Sequence, residues 1–229
     1  MEQLTTKELI FKSLKEKSSM KQDVFHNTLQ TFKALKTVVK TVAEELKTYS
    51  TTDKRVVVEY KEVSDYQFQL RVAGDTIIFY MHTNVFDFDK SHRIYKSSYV
   101  KEDNYRTFCG MIQIFNFLSD SFIYNRVNDL GYLIGRIFIN RENHYFVEGK
   151  RQLGFLYNDF VNTVIDESAL RAIVESAVLY CLNFDLLTPP FDSVKEVPVS
   201  DILAVENFLK ISTGKRLGFR FQADTDHID

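Results

Sequence analysis

The sequence predicts an α+β fold that combines a mostly antiparallel sheet, a buried central helix and an N-terminal helical appendage. Three observations support this prediction. Apolar residues recur at helical spacing before residue 50, and beyond that point they alternate with polar residues, as is typical of strands. The strand patterns come in adjacent runs separated by helix patterns, without the strict alternation of a parallel doubly wound fold.

The N-terminal region predicts two helices. Thr5 and Glu8 have the spacing of a capping box, so a short helix is expected to run to about Lys17. A longer helix follows from about Asp23. Its apolar residues recur at alternating spacings of three and four: Phe25, Phe32, Leu35, Val39, Val42, Leu46 and Tyr49. This seam fits either a coiled-coil dimer or a helix lying on its own domain, and we favour the second because the pattern is short for a coiled coil.

We divide the chain into a helical appendage of two helices at residues 1–50 and a single α+β domain at residues 51–229. The domain begins with three predicted strands, Arg55–Val63, Tyr66–Val72 and Thr76–His82. The second of them alternates cleanly between apolar and polar residues. That alternation is expected of an antiparallel strand with one buried face.

The middle of the chain predicts a fourth strand at His92–Val100 and the buried central helix at Thr107–Arg126, which is apolar nearly all round. Leu130–Arg151 then predicts two strands joined at Asn140–Asn143. A further short strand is expected near Leu153–Tyr157.

The C-terminal part of the chain predicts two helices and an edge strand. Asp166 or Ser168 is expected to cap a helix that runs to about Leu187, where a Pro-Pro pair ends it. A last helix is predicted at Ser200–Ser212 and a final strand at Leu217–Phe221.

Composition excludes several classes of protein. The formal net charge of −2 and the pI of about 6.2 provide no global positive field for binding nucleic acid. The N-terminal residues lack the continuous apolar run of a secretory signal, and no apolar stretch is long enough to span a membrane. Cys109 and Cys181 lie in apolar patterns without metal or redox spacing, so we expect two reduced core thiols and a cytoplasmic protein.

A first group of candidate site residues lies after the third predicted strand. The imidazoles and carboxylates of His82, Asp87, Asp89 and His92 are residue types that bind transition metals. The alternative is that these side chains hydrogen-bond their own backbone in turns, as is common for such residues after a strand.

A second group is Asp129, Glu148 and Lys150. Carboxylates followed by a lysine on a strand suit a site in which the acids hold Mg²⁺ and the lysine stabilises the attacking hydroxide or the scissile phosphate. The predicted order of helix, three strands, helix and strand from residue 107 onward resembles the core of PD-(D/E)XK nucleases. That resemblance implies a metal-dependent phosphodiesterase that acts on nucleic acid. The alternative is a solvated strand end with cross-strand pairs to Arg136 or Arg141.

A third group comprises the aromatic and cationic side chains of the hairpin: Tyr132, Arg136, Arg141, His144, Tyr145 and Arg151. They could line a pocket for a small anionic ligand or a protein partner. No phosphate-binding loop, dinucleotide fingerprint or nucleophile elbow occurs in the sequence. We therefore predict a non-catalytic intracellular ligand-binding or protein-interaction module, with homo-oligomerisation through the N-terminal helices as an option and the phosphodiesterase as the alternative. The sequence identifies no cofactor and no particular ligand.

Overall fold

The alternating pattern after residue 57 folds into a six-stranded antiparallel sheet in which strands adjacent along the chain are also adjacent in the sheet. The computed structural model describes residues 4–50, 53–188 and 190–199. The strands are β1 (Val58–Ser64), β2 (Gln67–Val72), β3 (Asp75–Phe86), β4 (Cys109–Leu118), β5 (Tyr132–Asn140) and β6 (Tyr145–Gly149). The predicted α+β class is confirmed.

Helices precede, interrupt and follow the sheet. The α-helices are α1 (Thr6–Ser13), α2 (Ser19–Ser50), α3 (Ser98–Glu102), α4 (Ser119–Ile123), α5 (Gln152–Phe155), α6 (Glu167–Leu182) and α7 (Phe191–Val194). A π-helical turn joins α1 to α2, and two 3-10 turns flank α3: Leu14–Ser18, Arg93–Lys96 and Asn104–Thr107. Among the described residues, no helix is both long and apolar enough to cross a membrane.

The main hydrophobic core lies between one face of the sheet and the pair α2 and α6. The Phe32 ring of α2 lies 5.1 Å from that of Phe68, which in turn stacks on Phe79 at 4.8 Å. Gly110 allows α2 to approach β4 closely, because a Cβ atom there would lie only 2.0 Å from the Thr28 hydroxyl. The apolar stripe of α6 joins the same cluster.

The apolar seam of α2 lies on the sheet of its own chain, as we favoured. Phe32, Leu35 and Val39 are fully buried, and Val42 is 4% exposed. Because the sheet covers these side chains, they are not available for a coiled-coil dimer. The division into residues 1–50 and 51–229 stays a prediction, although α2 and the sheet share one hydrophobic cluster.

The predicted capping box at the start of α1 is confirmed. The Glu8 amide donates to the Thr5 hydroxyl at 3.3 Å, and the Thr5 amide donates to the Glu8 carboxylate at 2.8 Å. The chain does not break after Lys17 as expected, because the π-helical turn carries the helix directly into α2. No side chain of α1 is buried.

The prediction of a central helix at Thr107–Arg126 is wrong, because half of this segment, Cys109–Leu118, forms β4. Its apolar residues face both ways since both faces of the strand are covered. Ile112 and Ile114 pack in the main core, whereas Cys109 and Met111 pack in a second cluster on the other face. A central strand buried on both faces has the same nearly continuous apolar sequence as a buried helix.

Two predicted strands are also helical. His92–Val100 forms a 3-10 turn and the start of α3, where the Ser97 hydroxyl accepts a hydrogen bond from the Val100 amide at 3.3 Å. Leu153–Tyr157 falls largely in α5, which follows a residue with φ of 49°, Arg151. Tyr157 nevertheless contacts the edge of the sheet, because its carbonyl accepts a hydrogen bond from Val147 of β6 at 2.8 Å.

The remaining predictions have mixed outcomes. Asp166 caps α6 by accepting a hydrogen bond from the Ala169 amide at 2.7 Å, and the helix ends at Leu182, before Leu187.

The three-stranded meander and the β5–β6 hairpin are confirmed. Cys109 and Cys181 are both buried and neither is in a disulfide. The predicted helix at Ser200–Ser212 and the strand at Leu217–Phe221 lie outside the described residues.

The packing of α2 on the sheet predicts that two phenylalanines of the N-terminal region contribute very differently to the free energy of unfolding. Phe32 is fully buried and Phe11 is 60% exposed. Phe32→Ala should lower the free energy of unfolding by about 3–5 kcal/mol, because it leaves a cavity in the core. Phe11→Ala should change it by less than about 0.5 kcal/mol. Urea denaturation of both variants measures the difference, and equal effects would contradict the packing of α2 on the sheet.

Candidate functional site

The polar end of the β5–β6 hairpin is built around the buried side chain of Asn140. Its amide nitrogen donates to the Tyr99 hydroxyl at 2.9 Å. Its oxygen accepts from the backbone amides of Glu142 and His144, at 2.9 and 3.0 Å. Asn143 adopts the left-handed conformation, with φ of 60°, that asparagine tolerates in tight turns. Asn140 therefore fixes both the turn of the hairpin and its contact with α3.

Glu142 is the charged centre of this network. It accepts a hydrogen bond from the Tyr99 hydroxyl at 2.7 Å and one from Arg106 Nε at 3.1 Å. Burial acts to raise the pKa of Glu142, but these hydrogen bonds and the charges of Arg106 and Arg141 outweigh it and lower that pKa below its usual value. The Glu142 carboxylate is therefore held in its ionised form, and each of its oxygens has a hydrogen-bond partner.

Two predicted ligand-binding residues, Arg141 and His144, belong to this same network. Arg141 forms an ion pair with Asp103. His144 Nδ1 lies 2.9 Å from the Phe160 carbonyl oxygen, and its ring stacks on Tyr99 with centroids 4.5 Å apart. These contacts hold the hairpin against the segment that precedes β4 and against the segment between α5 and α6. They give both residues a structural role in the described part of the chain.

The other predicted ligand-binding residues do not form one pocket. Tyr145 is 5% exposed in the main core, where burial raises its pKa. Tyr132 packs against the same core from the start of β5, and Arg151 is exposed at the turn before α5. Arg136 is on the opposite face of the sheet, where it forms an ion pair with Glu148.

The structure does not bring Asp129 together with Glu148 and Lys150. Asp129 lies in the loop before β5 and accepts a hydrogen bond from Ser121 Oγ at 2.7 Å. Glu148 lies opposite Arg136, which is four residues, or about 13 Å, along β5 from its first residue. The Lys150 amide donates to a β5 carbonyl at 3.0 Å.

The element order that resembles PD-(D/E)XK nucleases is also not found. The expected first helix is β4 and the expected third strand is α5, in a sheet whose strands are all antiparallel. The observed order therefore does not support the resemblance. Glu148 lies near the end of β6 and is in an ion pair with Arg136, and Lys150 follows the last residue of this strand.

The predicted metal ligands lie in β3, for His82, and in the segment after it, for Asp87, Asp89 and His92, and all four take part in local hydrogen bonds. Each accepts a hydrogen bond from a residue close by in the chain: His82 from Asn84, Asp87 from Tyr95, Asp89 from Ser91 and His92 from Ile94. In the described ranges, no group of three or more His, Cys, Asp or Glu side chains could hold a metal ion. The alternative of backbone-bonding turn residues agrees with this arrangement.

The face of the sheet opposite α2 and α6 is only partly covered. At one end, the segment between β3 and β4 and Phe160 pack on it in the second hydrophobic cluster. Towards β1, the strands carry polar side chains on this face. A cavity of about 200 Å³ lies there between β1, β2, β3 and α4. Its lining residues are Glu59, Lys61, Gln69, Arg71, Thr76, Ser119, Phe122 and Ile123. We call it the β1–β3 cavity.

Arg71 is the unusual group of the β1–β3 cavity. Its Nε atom is buried and has no hydrogen-bond partner. Within the described part of the chain, neither Arg71 nor Lys61 forms an ion pair within 4.0 Å. The hydroxyls of Thr76 and Ser119, 2.9 Å apart, hydrogen-bond each other beside it. A buried polar group without a partner is rare in native structures and requires an explanation.

Two other depressions are less informative. One, of about 180 Å³, is lined in part by Arg93, Phe146 and Asn158, and there Arg93 donates to Asn158 at 2.7 Å. A more open one, of about 620 Å³, lies between the start of α2 and the end of β3. In neither does a lining residue have a buried side-chain N or O atom without a hydrogen bond.

Sequence reasoning missed the β1–β3 cavity for an identifiable reason. Alternation in β2 places Gln69 and Arg71 opposite the buried residues, which is the usual position of solvated side chains. The missing information is the position of α4, which folds Ser119, Phe122 and Ile123 over this face.

Comparison of the chain with protein-family models, with curated proteins and with solved structures gives no match.

The pKa of Glu142 predicts an acid-dependent loss of stability. A carboxyl whose pKa is lowered by folding contributes stability above its unfolded pKa, and this contribution disappears as the pH falls through the folded pKa. Glu142→Gln should therefore lower the free energy of unfolding at pH 7 by about 1 kcal/mol, allowing for partial exposure. The difference from wild type should shrink as the pH falls below about 4.3. Denaturant unfolding across this range measures it, and a pH-independent difference would contradict a role for the ionised carboxylate.

Proposed function

We propose that this chain is a non-catalytic binding module that holds a small anionic ligand in the β1–β3 cavity. One observation carries the proposal: Arg71 lines the cavity and forms no ion pair within 4.0 Å in the described part of the chain. Its buried Nε atom also has no hydrogen-bond partner, and an unsatisfied buried donor costs about 1–3 kcal/mol, and more when the group is charged. An anion in the cavity would supply a partner for the charge of the guanidinium.

The chemistry of the lining residues fits an anion. A guanidinium presents its N–H groups in a planar fork that matches the two oxygens of a carboxylate or phosphate. Lys61 lies on the neighbouring strand β1 and lines the same cavity. Gln69 faces Lys61 across the β1–β2 pair and adds an amide donor. Three donor side chains thus border one space of about 200 Å³.

Binding without chemistry is supported by the groups that the cavity lacks. Its lining contains no histidine or cysteine, and its two hydroxyls hydrogen-bond each other. Cys109 lies elsewhere and is buried, and burial raises the pKa of its thiol, so it is not an activated nucleophile. Two buried thiols outside any disulfide also fit a cytoplasmic address for this module.

The proposal predicts that replacing Arg71 affects the free energy of unfolding differently with and without ligand. Without ligand, Arg71→Leu should leave the free energy of unfolding unchanged or raise it by about 1 kcal/mol, because it removes an unsatisfied buried donor. With acetate or inorganic phosphate at about a hundred times the dissociation constant, wild type should gain about 2.7 kcal/mol, and the variant should gain nothing.

Thermal unfolding at constant ionic strength measures both effects. The matched control is Arg55→Leu, which removes an arginine from an exposed ion pair with Asp53 outside the cavity. This control should respond to the anion as wild type does. The proposal fails if no anion shifts the wild-type midpoint, or if all three proteins shift equally.

A protein-interaction role is the second candidate, and α1 favours it. Five apolar side chains of α1 and its flanks are more than half exposed: Leu4, Leu9, Ile10, Phe11 and Leu14. Ile10, Phe11 and Leu14 have the three- and four-residue spacing of one helical stripe. Exposed apolar stripes of this kind are typical of interaction sites. We propose self-association through this stripe.

The test of self-association uses sedimentation equilibrium at increasing protein concentration. Wild type should show a mass that rises with concentration, and Phe11→Asp together with Leu14→Asp should remove the rise. Lys12→Asp, which changes an exposed residue off the stripe, is the control. A wild-type protein that stays monomeric would exclude this role.

A further inference from the structure

The charge balance of the β1–β3 cavity restricts the anion that it can hold. Arg71 and Lys61 bring two positive charges, and Glu59 brings one negative charge. Glu59 lies directly opposite Arg71 in the β1–β2 register, so any anion on the guanidinium also lies near this carboxylate. The single net positive charge suits a monoanion. A phosphate dianion would add repulsion by Glu59 without a third cation to balance it.

The cavity also has an apolar wall. Phe122 and Ile123 of α4 line it, and they are 48% and 52% exposed. Large apolar side chains that border a polar cavity can be removed from water by the apolar part of a ligand. The cavity therefore has a cationic side on β1 and β2 and an apolar side on α4.

The volume of the cavity limits the part of the ligand that it encloses. Water occupies about 30 Å³ per molecule in the liquid. A space of about 200 Å³ therefore has room for about seven water-sized groups. A carboxylate takes three of these places, and a small apolar group can then extend along Phe122 and Ile123, which are about half exposed at the border of the cavity.

We propose that the ligand is a monocarboxylate that carries a small aromatic or branched aliphatic group. This inference rests on the proposed function of the β1–β3 cavity. The carboxylate binds the fork of Arg71, with Lys61 as the second cation. The apolar group lies against Phe122 and Ile123, at the side of the cavity away from the charges.

The test is calorimetric titration of the full chain with four probes: 3-phenylpropionate, acetate, 3-phenylpropanol and inorganic phosphate. 3-Phenylpropionate should bind about tenfold or more tightly than acetate, because only it buries an apolar group. Its affinity should exceed that of 3-phenylpropanol by a similar factor, because the alcohol leaves Arg71 without an ionic partner.

Three variants test the cationic side and the apolar side of the cavity separately. Arg71→Gln should weaken the binding of 3-phenylpropionate by about 10- to 100-fold, and it should weaken the binding of acetate as well. Ile123→Ser should weaken the binding of 3-phenylpropionate alone, because acetate does not reach α4. Glu59→Gln should tighten the binding of phosphate, since it removes the carboxylate that repels a dianion. Circular dichroism and unfolding midpoints verify that each variant is folded.

The outcomes distinguish this inference from the proposed function. If acetate or phosphate binds as tightly as 3-phenylpropionate, and Arg71→Gln abolishes that binding, the cavity is an anion site and the inference about the ligand class is overturned. If 3-phenylpropanol binds as tightly as 3-phenylpropionate, the carboxylate is not recognised and the inference is also overturned. If none of the four probes binds, or if Arg71→Gln has no effect on those that do, the proposed function fails together with the inference.

Discussion

The structure depends on the burial of one face of a six-stranded meander by two helices. Phe32 of α2, Phe68 of β2 and Phe79 of β3 form a continuous column of rings at its centre. An antiparallel sheet needs only one apolar face to be stable in water, and its other face can remain polar. This one-sided burial leaves the opposite face available, and both the second cluster and the β1–β3 cavity lie there.

The two ends of that opposite face differ in how completely their polar groups are satisfied. At the hairpin end, Asn140 and Glu142 have several partners each, so the network stabilises one conformation of the turn. At the β1 end, Arg71 retains a buried N–H without an acceptor. Asn116 and Arg126 also have buried side-chain atoms without a hydrogen-bond partner, but neither residue lines the β1–β3 cavity. The contrast locates the candidate site away from the most charged part of the sequence.

The sequence predicts much of the fold but little of the site, for physical reasons. Period-two alternation identifies β2, and the six-residue burial pattern of that strand follows it. The same criterion fails for Thr107–Arg126, because a strand covered on both faces has no alternation to detect. The hairpin at 130–149 is predicted well, yet its charged residues have structural partners that are remote in sequence, such as Tyr99, 41 residues before Asn140. The cavity needs the fold of α4, which no local pattern specifies.

We propose that Arg71 binds an anionic ligand on the uncovered face of the sheet. The most direct measurement is the ¹H–¹⁵N resonance of its Nε–H group, followed by NMR during titration with 3-phenylpropionate and assigned with Arg71→Gln. Because this N–H is buried from solvent, it should be observable in the free protein, and it should show a larger shift than any other arginine side chain as the carboxylate binds the guanidinium. If the largest shifts instead fall on Arg106, Arg136 or Arg141, the ligand binds at the hairpin end, which would contradict binding at Arg71.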